Sequence, residues 1–237
     1  MSLHFAFLVL EEHPYGREML RILLEQGFVP SMIIQEVSNV GDVEREKFLA
    51  RIAGQPVPPR LTQLITSKKV PTFCVANHND EACKELLDAE KPDVLVLGGT
   101  RIIKTHILEA PRRATVNSHP GLLPWLRGSA SVGWALYKDM PQGATVHFID
   151  PGIDTGDIIA RRELPVYRQD TYESLNARIA TLSGELMAEA LTFLAEGEAP
   201  REPQDSNIGE TFKVIPDDLL EEGKQRLANG TYTHFAD

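Results

Sequence analysis

Apolar residues in this chain alternate between short unbroken runs and stretches in which they recur every three or four positions. His4–Leu10, Phe28–Gln35, Val70–Val75 and Asp93–Leu97 are nearly continuous apolar runs, and Ala114–Asn117 extends the series. Runs of that length between polar turns read as strands covered on both faces. Between them, Tyr15–Gln26 places Met19, Ile22 and Leu23 on one stripe and stops at Gly27. Asp42–Ala53, Leu61–Ser67 and Asp80–Ala89 read as further helices. Ala144–Ile149 and Ile158–Leu164 are later strands. Thr171–Glu196 carries the clearest helical stripe, Leu175, Ile179, Leu182, Leu186 and Leu194, with Asp170 as its cap and Glu173 three residues on. This alternation predicts an α/β fold: a doubly wound, mostly parallel, Rossmann-like sheet with helices on both faces.

The pattern changes after Gly197. Residues 198–237 hold 4 basic and 9 acidic residues, a net −5, with prolines at 200, 203 and 216. The expected division is therefore a domain over 1–197 and a short extension over 198–237, with a strand at Thr211–Ile215 and a helix at Asp217–Leu227. That strand would leave an unpaired edge if it stood alone. Pairing with a second copy through part of Gly209–Leu227 would cover it, which predicts a homodimer.

Composition narrows the class. The 237 residues are 42% hydrophobic and 24% charged, a globular balance that excludes disordered and fibrous classes. No apolar run approaches the ~18 residues of a membrane span, so no membrane partner is expected. The N-terminus lacks a basic lead-in and a small-residue cleavage site. The 2 cysteines, Cys74 and Cys83, make neither a disulfide framework nor a metal spacing. Those features point to the cytoplasm. The net charge of −10 speaks against a nucleic-acid partner, while a small anionic substrate needs only a few placed cations.

Ligands of open α/β sheets bind beyond the carboxyl ends of strands, where the strand order reverses. Three segments lie at such ends. In Glu11–Gly16, two carboxylates stand where a phosphate cradle would place glycines, so a dinucleotide is not expected; His13 and Tyr15 remain candidates for substrate contact. Gly98-Gly99-Thr100-Arg101 is either a turn or a place where a ligand approaches backbone. The third is Asn117-Ser118-His119-Pro120-Gly121-Leu122-Leu123-Pro124, followed by Arg127-Gly128. Strand alternation puts Asn117 and His119 on one side. Downstream, Gly143–Phe148 leads into the acidic loop Asp150–Asp157. An amide, an imidazole and a carboxylate could converge there as oxyanion donor, proton shuttle and orienter. Calcium at Asp150, Asp154 and Asp157 is the alternative, although the other loop ligands are missing. No metal is expected.

The ordered set is more specific than its parts. N-x-H-P-x-L-L-P, then R-G, then G-x-T-x-H, then D-x-G-x-I-I resembles the 10-formyltetrahydrofolate-dependent formyltransferases, whose members act on glycinamide ribonucleotide, methionyl-tRNA or nucleotide sugars. The resemblance covers residues 92–160 and agrees with the α/β pattern from residue 4. It implies that Asn117, His119 and Asp154 are catalytic. It also implies that 10-formyltetrahydrofolate is held by Leu97, Gly98, Gly99, Arg101, Ile102 and Ile103 together with Asp150 and Gly152. His13, Tyr15 and Arg127 are the acceptor-side candidates.

The implied reaction is formyl transfer to an amine. The acidic charge and the length disfavour tRNA, and Glu11–Gly16 departs from the phosphate loop of the ribonucleotide enzymes. The layout is most similar to the nucleotide-sugar members, which makes a nucleotide-linked amino sugar the first expectation. A hydroxyornithine-type amine is a further acceptor, and formyltetrahydrofolate hydrolysis is the alternative of another class.

Overall fold

The first apolar run forms β1 (Phe5–Leu10), buried along its whole length. The computed structural model describes residues 3–205 and 207–237. After β1 come α1 (Pro14–Glu25), β2 (Met32–Glu36), α2 (Asn39–Arg51), α3 (Leu61–Ile65), β3 (Thr72–Val75), α4 (Glu81–Glu90), β4 (Val94–Leu97), α5 (Thr105–Leu108) and β5 (Ala114–His119). The second half adds β6 (Leu126–Gly128), α6 (Ser131–Tyr137), β7 (Gly143–Phe148), β8 (Ile158–Glu163), α7 (Tyr172–Glu196), β9 (Glu210–Phe212) and α8 (Asp217–Ala228). β2 starts later than the apolar run suggests. Pro30 has no N–H for a ladder, and the N–H of Ser31 goes to Phe5 O (2.8 Å).

The main sheet has the order β3-β2-β1-β4-β5-β7-β8. β1 pairs in parallel with both β2 and β4, so the sheet changes its direction of growth between β1 and β4 and opens a crevice at their carboxyl ends. β5, β7 and β8 pair antiparallel. The β7–β8 connection returns directly, without the crossover helix that a parallel pair needs. The fold is thus the doubly wound, mostly parallel α/β sheet, with one antiparallel edge.

α1 and α7 cover one face. Met19, Leu20 and Leu23 meet Leu186, Met187 and Leu191 over Phe5, Phe7 and Val96. α4 and α5 cover the other, setting Cys83, Leu87 and Ile107 on Ala6, Leu8 and Leu95. Each fully buried side chain of this kind contributes about 1.5–3 kcal/mol. The α7 cap differs from the expectation by one residue. Thr171 Oγ1 accepts from Ser174 N (3.2 Å) and Ser174 Oγ accepts from Thr171 N (3.0 Å). Asp170 instead accepts from Ser174 Oγ and Tyr167 N and pairs with Arg178.

The tail folds back on the domain. β9 pairs in parallel with β6, so the tail strand expected to pair with a second copy has a partner within the chain. The homodimer expectation loses that part of its basis. Leu227 and Tyr232 join Val132, Leu136, Leu175 and Ile179 in a third apolar cluster. Trp134 Nε1 donates to Lys213 O (2.8 Å), and Tyr232 Oη to Met140 O (2.7 Å). Among the described residues no helix is long and apolar enough to cross a membrane.

Candidate active site

β5 carries the centre of the site. Its alternation puts Asn117 and His119 on one face, and its neighbours fix what they meet. Asn117 stands beside Leu97 in the β4 ladder and opposite His147 in the β7 ladder. Asn117 Nδ2 lies 3.4 Å from His147 Nε2. His147 Nδ1 lies 2.8 Å from Phe148 O, a carbonyl that can only accept. Nδ1 therefore carries a proton, and Nε2 lies between Asn117 Nδ2 and the carboxylate of Asp154.

The loop between β7 and β8 supplies the carboxylate. Asp150 Oδ1 accepts from Gly152 N (3.0 Å) and Thr155 Oγ1 (2.6 Å), which folds the loop on itself. Asp154 then sits in the left-handed region at φ 53°, a conformation that costs a non-glycine residue roughly 1–2 kcal/mol. That strain is held by its surroundings. Asp154 Oδ2 accepts from Gly128 N (2.8 Å) and lies 3.3 Å from His119 Nδ1, while Oδ1 lies 3.5 Å from His147 Nε2. Burial alone would raise this carboxyl, but His119, His147 and the Gly128 N–H together hold it well below the usual carboxylate range. Asp154 is an anion between two imidazoles.

His119 is 3% exposed. Its Nε2 lies 2.7 Å from Leu126 O and 3.1 Å from Ser131 Oγ. Nε2 therefore carries a proton, and Nδ1 faces Asp154. Burial lowers the pKa of His119 and His147 adds to that, while Asp154 and the Leu126 carbonyl oppose it. The ring is neutral at neutral pH. A second proton on Nδ1 would point straight at a carboxylate, so the pair is built to take up and return one proton. Gly121 makes room for the ring: a Cβ there would lie 2.8 Å from His119 Nε2.

The candidate cofactor segment follows β4. Gly98 N donates to Leu8 O (2.8 Å) and Leu10 N to Gly99 O (3.0 Å), which ties the segment to β1. A Cβ on Gly98 would lie 2.0 Å from the Phe7 ring, so only glycine fits. Arg101 departs from a ligand-binding role. Its Nε donates to Glu36 Oε1 and Oε2 (2.9 and 2.8 Å), and Glu36 is fully buried at the end of β2. Glu36 also accepts from Ser38 Oγ and His78 N. Ile102 is 84% exposed, whereas Ile103 is buried with Leu97 and Ile107. Ile149 packs on that same cluster and so brings Asp150–Asp154 beside Leu97–Ile103. Ile153 on the second loop is 55% exposed. Two backbone-rich loops with outward isoleucines fit a flat heterocycle with alternating donors and acceptors.

The acceptor-side candidates separate. Tyr15 Oη donates to Ser118 O (2.7 Å), bracing β5 between Asn117 and His119, and burial pushes its pKa up to about 12. His13 packs between Gly99 and the ring of Phe48; burial, aided by Arg51, Arg17 and Arg45 against Glu44, lowers its pKa to about 4. Its Nδ1 is buried without a partner among the described residues. Arg127 does not face the site. It is 4% exposed and donates to Ile208 O (3.1 Å) and Asp205 O (3.3 Å), because β6 turns it toward the tail. The three loop aspartates do not converge on a cation position: Asp150 holds Thr155, Asp154 the imidazoles, and Asp157 Arg201.

Four contributors escaped the sequence. His147 lies in the G-x-T-x-H motif, but its contact with Asn117 depends on an antiparallel register. Ser131 reaches His119 from a helix that has no sequence signature. Glu36 ends the apolar run MIIQE, where a lone carboxylate was the available signal. Gln204 Nε2 donates to Asp154 O (3.0 Å) and Gly156 O (2.7 Å), clamping the loop from the tail.

A family model described as formyl transferase matches residues 28–191, which include Asn117, His119 and Asp154. The chain belongs to the formyl transferase family. It is 31% identical over 156 residues to the methionyl-tRNA formyltransferase of Syntrophus aciditrophicus, covering 65% of this chain and 50% of that one. With the methionyl-tRNA formyltransferase of Parabacteroides distasonis it shares 30% over 204 residues, 85% of this chain and 60% of the other. The chain thus spans about half the length of the first curated relatives it matches. Among solved structures, a 4-N formyltransferase from Francisella tularensis superposes with a TM-score of 0.64 at 16% identity, covering 96% of this chain and 88% of that one. The formyltransferase PseJ from Anoxybacillus kamchatkensis, solved with UDP-4,6-dideoxy-4-formamido-L-AltNAc and tetrahydrofolate, gives 0.56 at 25% identity, covering 72% and 94%. The first of these structures shows the fold. The names divide among acceptors and agree on formyl transfer.

Proposed function

We propose that this protein transfers a formyl group from 10-formyltetrahydrofolate to a primary amine, and that the amine belongs to a nucleotide-linked amino sugar. The observation that carries the reaction is the cluster of Asn117, His119, His147 and Asp154 at the carboxyl edge of β5, next to the crevice bordered by Leu97–Ile103 and Asp150–Asp154. 10-Formyltetrahydrofolate supplies an activated formyl carbon. The pterin would lie along the backbone of those two loops, with Arg101 setting the loop position rather than touching the ligand.

The acceptor nitrogen attacks the formyl carbon and a C–N bond forms. Asn117 Nδ2 donates to the oxygen as it gains negative charge, with His147 Nε2 holding the amide in place. Neutral His119, supported by the Asp154 carboxylate, takes the proton that the nitrogen loses and returns it to the departing folate nitrogen as the old C–N bond breaks. Products are a formamide and tetrahydrofolate. Each such donor is worth about 10²–10³ in rate.

Support for a sugar acceptor comes from the likeness to a sugar N-formyltransferase over 96% of the chain and from the net charge of −10. The second reading, methionyl-tRNA, is favoured by the curated relatives. Tetrahydrofolate release is the test, measured with a UDP-linked 4-amino sugar, with methionyl-tRNA and with no acceptor. Release only with the sugar supports the proposal. Release only with charged tRNA overturns the sugar assignment, and release without any acceptor indicates hydrolysis.

A further inference from the structure

The turn between β3 and α4 meets the candidate cofactor segment through one side chain. Asn79 Nδ2 donates to Ile102 O (3.0 Å), and Asn79 Oδ1 accepts from Lys104 N (2.7 Å). These contacts fix which way the amide points, since a carbonyl only accepts and a backbone N–H only donates. The turn behind the side chain is itself tied down. Asn79 N donates to Asn77 Oδ1 (2.9 Å), and Asn79 O accepts from His106 Nε2 (3.0 Å). His78 N donates to Glu36 (2.8 Å), the buried carboxylate that also holds Arg101.

The two amide bonds reproduce those of a neighbouring strand. In a parallel ladder, one residue donates to the carbonyl before residue i and accepts from the N–H after it. Residue i then turns its own N–H and C=O to the opposite edge. Asn79 bonds Ile102 and Lys104 in this way, so Ile103 directs its backbone donor and acceptor away from Asn79. Among the described residues, neither the N–H nor the C=O of Ile103 has a hydrogen-bond partner. Its side chain is buried with Leu97 and Ile107, which holds the residue in register. Asn79 follows β3 at one end of the strand order, whereas Asp150–Asp154 follows β7 on the far side of β4. The open edge of Ile103 thus lies toward that loop.

We propose that Asn79 is a positioning residue for the formyl donor: it fills one edge of residues 102–104 as a strand would, and so holds the other edge, the N–H and C=O of Ile103, ready for the pterin. The proposal rests on the reading of Leu97–Ile103 as the donor segment and adds the side chain that shapes it. Asn79 itself does not touch the ligand. A flat heterocycle needs both backbone groups at one spacing and in one plane. A segment that must be ordered as the ligand arrives loses affinity by the cost of that ordering.

Tetrahydrofolate is the probe, titrated calorimetrically into the full chain as wild type, Asn79→Ala, Asn79→Asp and His106→Ala, with Tm and amide exchange over residues 100–106 measured for each. Asn79→Ala should weaken tetrahydrofolate roughly tenfold to hundredfold, and the Lys104 N–H should exchange faster. Asn79→Asp keeps the size but sets an oxygen against Ile102 O, so it should lose as much. An unchanged Tm for this variant keeps the comparison valid even where the alanine variant melts early. His106→Ala removes a bond between the same turn and α5 while leaving the amide edge intact, and should bind within about twofold of wild type. In wild type, tetrahydrofolate should slow exchange at Ile103. Equal affinity in wild type and both Asn79 variants overturns the proposal. An equal loss in His106→Ala also overturns it, since Asn79 would then be one general tether among several. Failure of wild type to bind tetrahydrofolate is a different result and removes the donor reading itself.

Discussion

Asn117 and His147 face each other across the antiparallel ladder of β5 and β7, with Nδ2 of the amide 3.4 Å from Nε2 of the ring. The histidine fixes which way the amide points. His147→Ala should therefore cost a substantial part of what Asn117→Ala costs, about 10²–10³-fold in kcat, with little effect on donor binding. The double variant should be barely worse than Asn117→Ala alone, because the two groups act as a unit. Single-turnover tetrahydrofolate release measures this, and additive losses would separate the pair.

A proton balance makes stability fall in mild acid. His13 is buried and neutral, with its pKa lowered from 6.5 to about 4, and His78 behaves alike for the same leading reason, burial. Below pH 6.5 the unfolded chain takes up these protons while the native state refuses them, so stability rises with pH between about 4 and 6.5. His13 alone accounts for about 3 kcal/mol across that window. Asp154 works in the same direction at lower pH. Its folded pKa is depressed, so its contribution is present above the unfolded value and is lost as pH falls through the folded one. Thermal melts from pH 4.5 to 7.5 should show the slope, and His13→Gln should flatten it.

The ion pair between Glu36 and Arg101 is a strut under the cofactor segment. Arg101→Ala leaves a carboxylate buried without its cation and should destabilise the fold by about 3–5 kcal/mol. The paired change Glu36→Leu with Arg101→Met removes both charges and should recover much of that loss. In the paired variant KM for the formyl donor should still rise, because the segment after β4 loses its fixed position. Denaturant titrations with donor kinetics separate the two effects.

Gln204→Ala should lower kcat while the melting temperature barely moves. Among the described residues the amide bonds two carbonyls, at Asp154 and Gly156, and carries no part of the apolar core. Without it the left-handed turn at Asp154 loses one of its supports. Hydrogen exchange across residues 149–157 should quicken in this variant, and exchange unchanged from wild type would deny the clamp.

Much of this arrangement is legible in the sequence where the chemistry is local. β1 and β4 announce themselves as apolar runs, and α7 by its stripe. Asn117 and His119 share a face because strand residues two apart always do. The rest depends on contacts between distant residues. α6 is short and contains Gly133, and it exists as a helix because α8 lies on it: a Cβ at 133 would meet Leu220 at 3.0 Å. β6 has 3 residues and needs β9 as a partner. Arg127 follows a motif position and still turns away, because the tail offers it carbonyls. Arg101 is bound to a carboxylate 65 residues away, and no window on the sequence contains both.

The clamp from Gln204 has a consequence for the order in which the protein matures. Asn117, His119, His147 and Asp154 have all been synthesised well before residue 204 leaves the ribosome. Until then the Asp154 turn lacks its tail contact, and β6 lacks the strand that lies beside it. A nascent chain can thus complete its sheet while its reacting centre is still slack. Catalytic competence would then wait for the segment that carries Gln204, which would keep the site idle on shorter nascent chains.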